Sequence, residues 1–339
     1  LNLPRTYGVD DFPVVVQDRR FLANGNFSIG PYGDSVLVNG TPHAYLECPA
    51  QVVRLRFLNG SNARVYQLGF EDGRTFQVIA GDGGLLNAPV ELDRISMSNG
   101  ERWEILLDLS GMEGDSLMLK SFGSELPSTV PGGMNILWES SALNGIDFDV
   151  LRIRVTAPTA NPITAIPASL GNAIPIPESQ ASQTRIKNLM GNGMVGMGMF
   201  TINGQMFNVD VVNDTVTLGA TEIWTFQNFS NMAHPMHVHG TSFFVLDVDG
   251  QPPTPEQTGA KDVVLVDVGQ SVRTIMQFNH TTEGWPYMYH CHNLMHEDNM
   301  MMQQFIVVDP TLSVDALQDG LSILAFPNPV TNTLNFRSS

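Results

Sequence analysis

Short runs in which apolar and polar residues alternate recur along the chain, each closed by Asn, Gly or Asp. Examples are VVRLRFLNGSN (52–62), RTFQVIAGDGG (74–84), RWEILLDLSG (102–111), EIWTFQNFSN (222–231), SFFVLDVDG (242–250) and VRTIMQFNH (272–280). The period is two, and β-branched and aromatic residues dominate. Side chains of a strand point alternately to opposite faces, so this pattern predicts strands with one face buried. Long helical periodicity is absent. The reading is an all-β chain of antiparallel β-sandwiches.

The two halves resemble each other. Phe57 and Asn59 in RFLNGSN match Phe226 and Asn228 in TFQNFSN, and Gly100 matches Gly269, at one offset: 228 − 59 = 169 and 269 − 100 = 169. LVNG at 37–40 answers TING at 201–204. A single sandwich duplicated accounts for this, with domains expected at 1–156 and 186–309. Between them, 157–185 reads as a Pro-rich extended linker, with five prolines in 157–178. The remaining residues, 310–339, form a tail.

The repeat also shows where the copies differ. Applied to HPMHVHG, the offset sets His234 against Val65, His237 against Leu68 and His239 against Phe70. One copy has three histidines where the other is apolar, which points to a metal site in one copy only. The segment HCHNLMHEDNMM (290–301) supplies the rest. One thiolate, two imidazoles and a thioether suit copper in a trigonal His₂Cys site with a weak axial Met, the set of an electron-transfer centre. Cys291, His296 and Met301 come from this one segment and His234 from a distant strand. Zinc also takes Cys and His, but its closed sites usually use more than one Cys. Strand alternation turns His290 and His292 together, away from Cys291, and gives His237 and His239 a shared face. Two His-x-His pairs converging on one side imply a second, larger metal centre, with Cys291 between the two.

Charge and composition narrow the partners. With 34 acidic and 17 basic side chains, the net charge is -17, which repels nucleic acid. No apolar run reaches the roughly eighteen residues of a membrane helix. The two cysteines are Cys48 and Cys291. A disulfide would consume the metal ligand, so Cys48 reads as a small buried hydrophobe. His43, in a turn-like segment, reads as solvent-facing, and His280 as structural. NLMGNGMVGMGMF sets Met190, Met194, Met197 and Met199 in a glycine-rich stretch, suited to a soft metal or a flexible lid.

HPMHVHG and HCHNLMHEDNMM resemble the two C-terminal copper motifs of the multicopper oxidases. TINGQMF, KDVVLVDVGQSV and FNHTTEGWPYMYHCH look like the copper-efflux and bilirubin-oxidase-like bacterial branch. The resemblance covers about 1–309. It implies two cupredoxin-like Greek-key β-sandwich domains, the first being the family's copper-free middle domain. It implies His234, Cys291, His296 and Met301 at type 1 copper, His237 at type 2 copper, and His239, His290 and His292 at the type 3 pair. The reaction implied is one-electron oxidation of a reductant (a phenol, a pigment or Cu(I)) coupled to reduction of dioxygen to water, with Glu297 as a proton relay. Met232 matches a methionine of the family's substrate-copper site, but Ser230 stands where that site has a carboxylate.

The family's trinuclear cluster takes eight histidines in four pairs. This chain has eight histidines in all, of which four fall in such pairs. The other half is therefore expected in a first domain upstream of Leu1. LAFPNPVTNTLNF in the tail resembles the start of a type IX secretion sorting domain, cut short, which implies a protein secreted or held at the cell surface via the periplasm. Two rivals stand beside the oxidase: a copper-binding electron-transfer or copper-handling module without oxidase turnover, and a copper-free scaffold. A copper nitrite reductase fits less well, because it does not call for histidines on both sides of the type 1 Cys.

Overall fold

The structure is a computed structural model and describes residues 1–134, 141–194, 197–282 and 285–310, with no side-chain description at 193, 194, 197 and 198. The sorting-domain resemblance in the tail and the side chains of Met194 and Met197 lie outside the described residues. The chain folds into two Greek-key β-sandwiches. In the first, a seven-stranded sheet that includes Asp11–Arg19, Val52–Asn59 and Arg102–Asp108 faces a five-stranded sheet that includes Tyr66–Phe70 and Ser116–Phe122. In the second, two five-stranded sheets face each other. One runs Met197–Ile202, Gln183–Met194, Thr221–Asn228, Ser271–Gln277, Phe243–Val248. The other runs Asp214–Thr217, Met302–Val308, Tyr287–Cys291, His234–Val238, Val263–Val266.

All six alternating runs form strands, with their apolar positions inward. Val52–Asn59 buries Val53, Leu55 and Phe57 on one face, and Thr221–Asn228 buries Trp224 and Phe226. The expectation of purely antiparallel sheets needs correction. Asp11–Arg19 runs parallel to Val52–Asn59, Tyr45–Pro49 to Asp147–Thr156, Gln183–Met194 to Thr221–Asn228, and Asp214–Thr217 to Met302–Val308. These pairs join strands brought together by crossovers, and alternation carries no information about strand direction.

The duplication holds at the level of single hydrogen bonds. Asn59 donates its amide to the carbonyls of Arg64 (2.8 Å) and Met97 (2.9 Å), and its Oδ1 accepts from the Ser61 amide at 3.0 Å. Asn228 does the same with Met232 (2.7 Å), Val266 (2.9 Å) and Ser230 (2.9 Å). Both NG turns have left-handed backbone at the pair, with φ of 50° and 78° at Asn39–Gly40 and 53° and 72° at Asn203–Gly204. Such values match the tight hairpin turns that favour Asn-Gly. The Pro-rich segment lies on the first sandwich, where Leu170 is buried and Ile163 and Ile166 pack against the core. The first strand of the second sandwich begins at Gln183, inside the stretch read as linker.

One buried ion pair anchors the first sandwich. Arg64 and Asp18 are both 1% exposed and meet at 2.8 Å; Asp18 also accepts from the Gly33 amide at 2.7 Å. Removing one partner strands the other charge in a medium that cannot solvate it. Asp18→Ala is expected to destabilise this sandwich by about 3–5 kcal/mol, read from urea unfolding followed by tryptophan fluorescence. A change under about 1 kcal/mol would show that water reaches Arg64 and that the pair is ordinary surface electrostatics.

Candidate metal centres

Both histidine motifs lie on neighbouring antiparallel strands, and their register sets the site. Met236 is opposite Cys291, His237 opposite His290, and Val238 opposite Tyr289. The pairing extends at both ends, through the His239 amide to Met288 O (2.9 Å) and the His292 amide to Pro235 O (2.6 Å). Residues directly opposite share a face, so alternation sorts the side chains into two sets. His234 and Cys291 point into the sandwich core. His237, His239, His290 and His292 point the other way.

The inner set is dry. His234 and Cys291 are 0% exposed and His296 is 3% exposed. The Nδ1 atoms of His234 and His296 lie 3.2 Å apart, and each is 3.5 Å from the Cys291 sulfur. A point about 2 Å from all three atoms exists between them, the length of a metal–imidazole bond. His296 comes from a single helical turn, Leu294–Asp298, which follows directly on Cys291. Ser230 Oγ sits 2.7 Å from His234 Nε2 and gives its own hydrogen to Asn228 Oδ1 at 2.7 Å; accepting the Nε2–H hydrogen bond leaves the Nδ1 lone pair free for a metal. The ring of Phe200, on the Met197–Ile202 strand, closes the pocket at 5.0 Å from His234 and 4.3 Å from His296. Met301 is fully buried, held by its amide on His296 O (2.9 Å) and by its carbonyl on the Cys291 amide (3.2 Å). Its neighbour Met300 is exposed, at a left-handed φ of 76°.

Burial keeps the imidazoles neutral, lowering His234 well below its usual range and His296 to about 3. It also raises the Cys291 thiol, only partly offset by the Asn293 amide at 3.4 Å from the sulfur. Neutral imidazoles are ready donors, and a metal cation binding the sulfur would displace the thiol proton to solvent. These donors fit a His₂Cys copper site.

The outer set is half open. His237 Nδ1 donates to Asp262 O at 2.7 Å, and His290 Nδ1 to Cys291 O at 3.0 Å, so in both rings Nε2 is the free donor. His239 Nε2 lies 3.1 Å from His290 Nε2, and His237, His239 and His290 offer ligand atoms within 4.8 Å of one another. The His292 ring stands just outside that group, 5.6 Å from the rings of both His237 and His290. Burial lowers His290 to about 3 and lowers His239 and His292, with the neighbouring imidazoles adding to each shift. Glu297 reaches back to this set, with Oε2 3.4 Å from His290 Nδ1. An open cleft of about 580 Å³, lined by His237, Asp262, Thr241, Gln277 and His280, leads to it.

Of the other residues singled out in the sequence, Cys48 is fully buried with its thiol pushed up to about 12 by burial. His43 and His280 are exposed and belong to neither group. Met232 is 0% exposed inside the second core, so its thioether does not face solvent. Met190 and Met199 do project outward, from a hairpin that extends the sheet. Sequence reasoning does not single out Phe200 or Asp262. Phe200 ends the glycine- and methionine-rich run, the one bulky residue in MGMF, and Asp262 lies in the KDVVLVDV stretch.

Two family models, both of the multicopper oxidases, match residues 12–137 and 176–311. A solved laccase-like multicopper oxidase, CueO from an Ochrobactrum species, superposes with a TM-score of 0.77 at 30% identity over 90% of this chain and 68% of its own. The chain belongs to the multicopper oxidases, and its sandwiches are cupredoxin-like. McoA from Aquifex aeolicus superposes equally well, with TM-score 0.77 at 32% identity over 89% of this chain and 67% of its own. Among curated relatives, multicopper oxidase mco of Staphylococcus haemolyticus is 33% identical over 318 residues, 91% of this chain and 61% of the relative. Cell division protein FtsP of Escherichia coli is 34% identical over 317 residues, 91% of this chain and 63% of the relative. The chain thus spans about three fifths of the length of the curated relatives it matches.

Adding Cu(II) to the folded, metal-free protein is expected to produce an intense visible thiolate-to-copper band. Cys291→Ser should abolish it with the fold retained, while Cys48→Ser leaves it untouched. A folded, copper-loaded wild type without the band would remove the buried site from the list of copper centres.

Proposed function

We propose that this chain is the second and third cupredoxin domains, 1–156 and 183–309, of an exported multicopper oxidase, with type 1 copper at His234, Cys291, His296 and Met301. Half of the oxygen-reducing cluster, His237, His239, His290 and His292, belongs to the same reading. Copper bound in these sites supplies one-electron transfer at the cysteine and four-electron reduction of dioxygen to water where the histidines converge. The observation that carries the reading is the shared register: a closed His₂Cys set and an open four-histidine set on opposite faces of one strand pair.

The residues have separable tasks. Cys291 and His290 are consecutive, and the His290 ring donates to the Cys291 carbonyl at 3.0 Å, so the two sites are joined by one short stretch of strand. Phe200 packs on both inner imidazoles, and the burial of all three donors excludes water, which holds them fixed when charge changes. Glu297 is raised above the ordinary carboxylate range by burial and then by Asp298, and it sits beside His290. A carboxyl with its proton held nearer neutrality suits proton delivery to that side. Phenols, pigments and Cu(I) remain the reductant classes.

A second reading is a copper-binding electron-transfer or copper-handling module without oxidase turnover. The likeness to a protein named for cell division, FtsP, favours a role other than oxidase turnover and does not bear on copper. Intact donors in both sets favour the oxidase, and oxygen consumption by the full-length protein distinguishes the two.

Glu297→Gln in the full-length protein is expected to slow oxygen reduction by roughly 10²- to 10⁴-fold and leave reduction of the blue site unchanged, in stopped-flow traces of the two steps. Equal oxygen-reduction rates would reduce Glu297 to a structural role. The 339 residues alone are expected to show no sustained four-electron turnover. The positions of the first sandwich that match the ligands are Val65, Leu68 and Phe70, all buried and apolar, so a second copy does not supply the missing donors. Sustained turnover by this piece at an oxygen electrode, with an artificial reductant, would overturn the half-cluster reading.

A further inference from the structure

Among the described residues the first sandwich contributes no donor to either histidine group, yet it reaches the outer one directly. Arg102 forms a two-pronged pair with Asp262, Nη1 to Oδ1 and Nη2 to Oδ2, both at 2.7 Å. Asp262 is the residue whose backbone carbonyl accepts the His237 ring proton at 2.7 Å. Arg102 is itself held within its own sandwich, with its amide on Asp82 Oδ1 (2.8 Å) and its guanidinium on the carbonyls of Gly100 (3.0 Å) and Asp82 (3.0 Å).

Around this fork the segment 260–263 is fastened at every residue. Ala260 O accepts from the Gly83 amide at 2.8 Å. Lys261, 1% exposed, lies 3.0 Å from both Asp82 and Glu101 and over the Trp103 ring at 4.3 Å. The amides of Asp262 (3.4 Å) and Val263 (3.3 Å) point to Asp82 Oδ2. Gly100 closes on His292: a β-carbon there would stand 2.4 Å from His292 Nε2, and φ is 76°, so only glycine lets the turn pass this ring.

We propose that the donor-free sandwich is a jig for the histidine cluster of the other, with Arg102 and Asp82 as positioning residues that fix Asp262 and, through its carbonyl, the ring of His237. The arrangement does two things. It fixes the carbonyl that selects the Nδ1–H form of His237, leaving Nε2 for a metal. It also engages both carboxylate oxygens of Asp262, one of which lies 3.9 Å from His237 Nδ1, so the ring N–H keeps donating to the neutral backbone carbonyl. Partners of this outer kind, when lost, typically weaken metal affinity about 10- to 100-fold. The His234–Cys291–His296 group lies on the other face of the strand pair and meets the first sandwich through Ala233 and Leu294, not through Arg102 or Asp82, so these two substitutions leave it unchanged. The metal part of this inference rests on the copper reading above; the positioning of the ring does not.

Two measurements on the full-length protein test it, in wild type, Arg102→Gln and Asp82→Asn. Arg54→Gln serves as a control, removing a similar part-buried pair (with Glu104) from the same sheet but away from the seam. In the metal-free protein, the His237 Nδ1–H is followed by ¹⁵N-edited NMR. Its exchange with solvent should quicken at least tenfold in Arg102→Gln and Asp82→Asn and stay unchanged in Arg54→Gln. In the copper-loaded protein, non-blue copper should be lost to a chelator roughly 10- to 100-fold more readily in the first two variants, with the blue band constant. An unchanged ring proton in Arg102→Gln, or the same change in Arg54→Gln, overturns the jig. A quickened ring proton with no non-blue copper in the wild type upholds the jig and overturns the copper reading of the outer group.

Discussion

The antiparallel register between His234–Val238 and Tyr287–Cys291 is the constraint on which both candidate sites depend. With His237 opposite His290, each motif contributes to both faces, and the two contributions meet. A slip of one residue would turn Cys291 toward solvent and bring histidines into the core. That slip is opposed by the whole strand pair: Met236 and Tyr289 are 0% exposed on the inner face, and their neighbours His237 and His290 would have to enter the core in their place. Packing therefore fixes the register, and the register fixes the chemistry.

Duplication explains how one half could specialise. The Asn59 and Asn228 networks are the same device, an amide that ties a strand end to the turn after it and to a neighbouring strand. Because that device carries the turn, the residues beyond it are free to differ. In the first sandwich they are Val65, Leu68 and Phe70, which fill space. In the second they include His234, whose Nε2 is held by Ser230, itself bound to Asn228. The asparagine that serves as scaffold in one copy is two hydrogen bonds away from a donor in the other.

Much of this was legible in the sequence. Period-2 alternation located the strands, and the 169-residue offset exposed the duplication. Ligand softness and strand parity sorted the histidines into two sets, which the register reproduces. What escaped was of one physical kind: relations between segments far apart in the chain. Alternation does not encode strand direction, so the four parallel pairs were missed. Phe200 closes the inner pocket because a hairpin folds over it, and Asp262 matters because its carbonyl, a group every residue has, meets His237. Met232 matches a methionine of the family's substrate-copper site by its place before His234, and packing buries it completely.

The seam between the sandwiches is built from two materials with different uses. Val65, Val130 and Ala233, with Leu126 and Leu265 beside them, form an apolar patch that holds the halves together. Such contact is non-directional, and surfaces joined only this way can slide by a fraction of an ångström at little cost. The ionic part, Asp82, Glu101, Arg102, Lys261 and Asp262, is a poor source of net stability, since desolvating the charges offsets their attraction. It is directional instead: the planar fork of Arg102 meets the two oxygens of Asp262 in one orientation, and Lys261 has room only between Asp82 and Glu101. A metal centre tolerates errors of only about 0.5 Å in its donors. The charges sit where that tolerance is needed, one peptide from the carbonyl that orients His237, and the apolar patch lies on the Ala233 side of the seam.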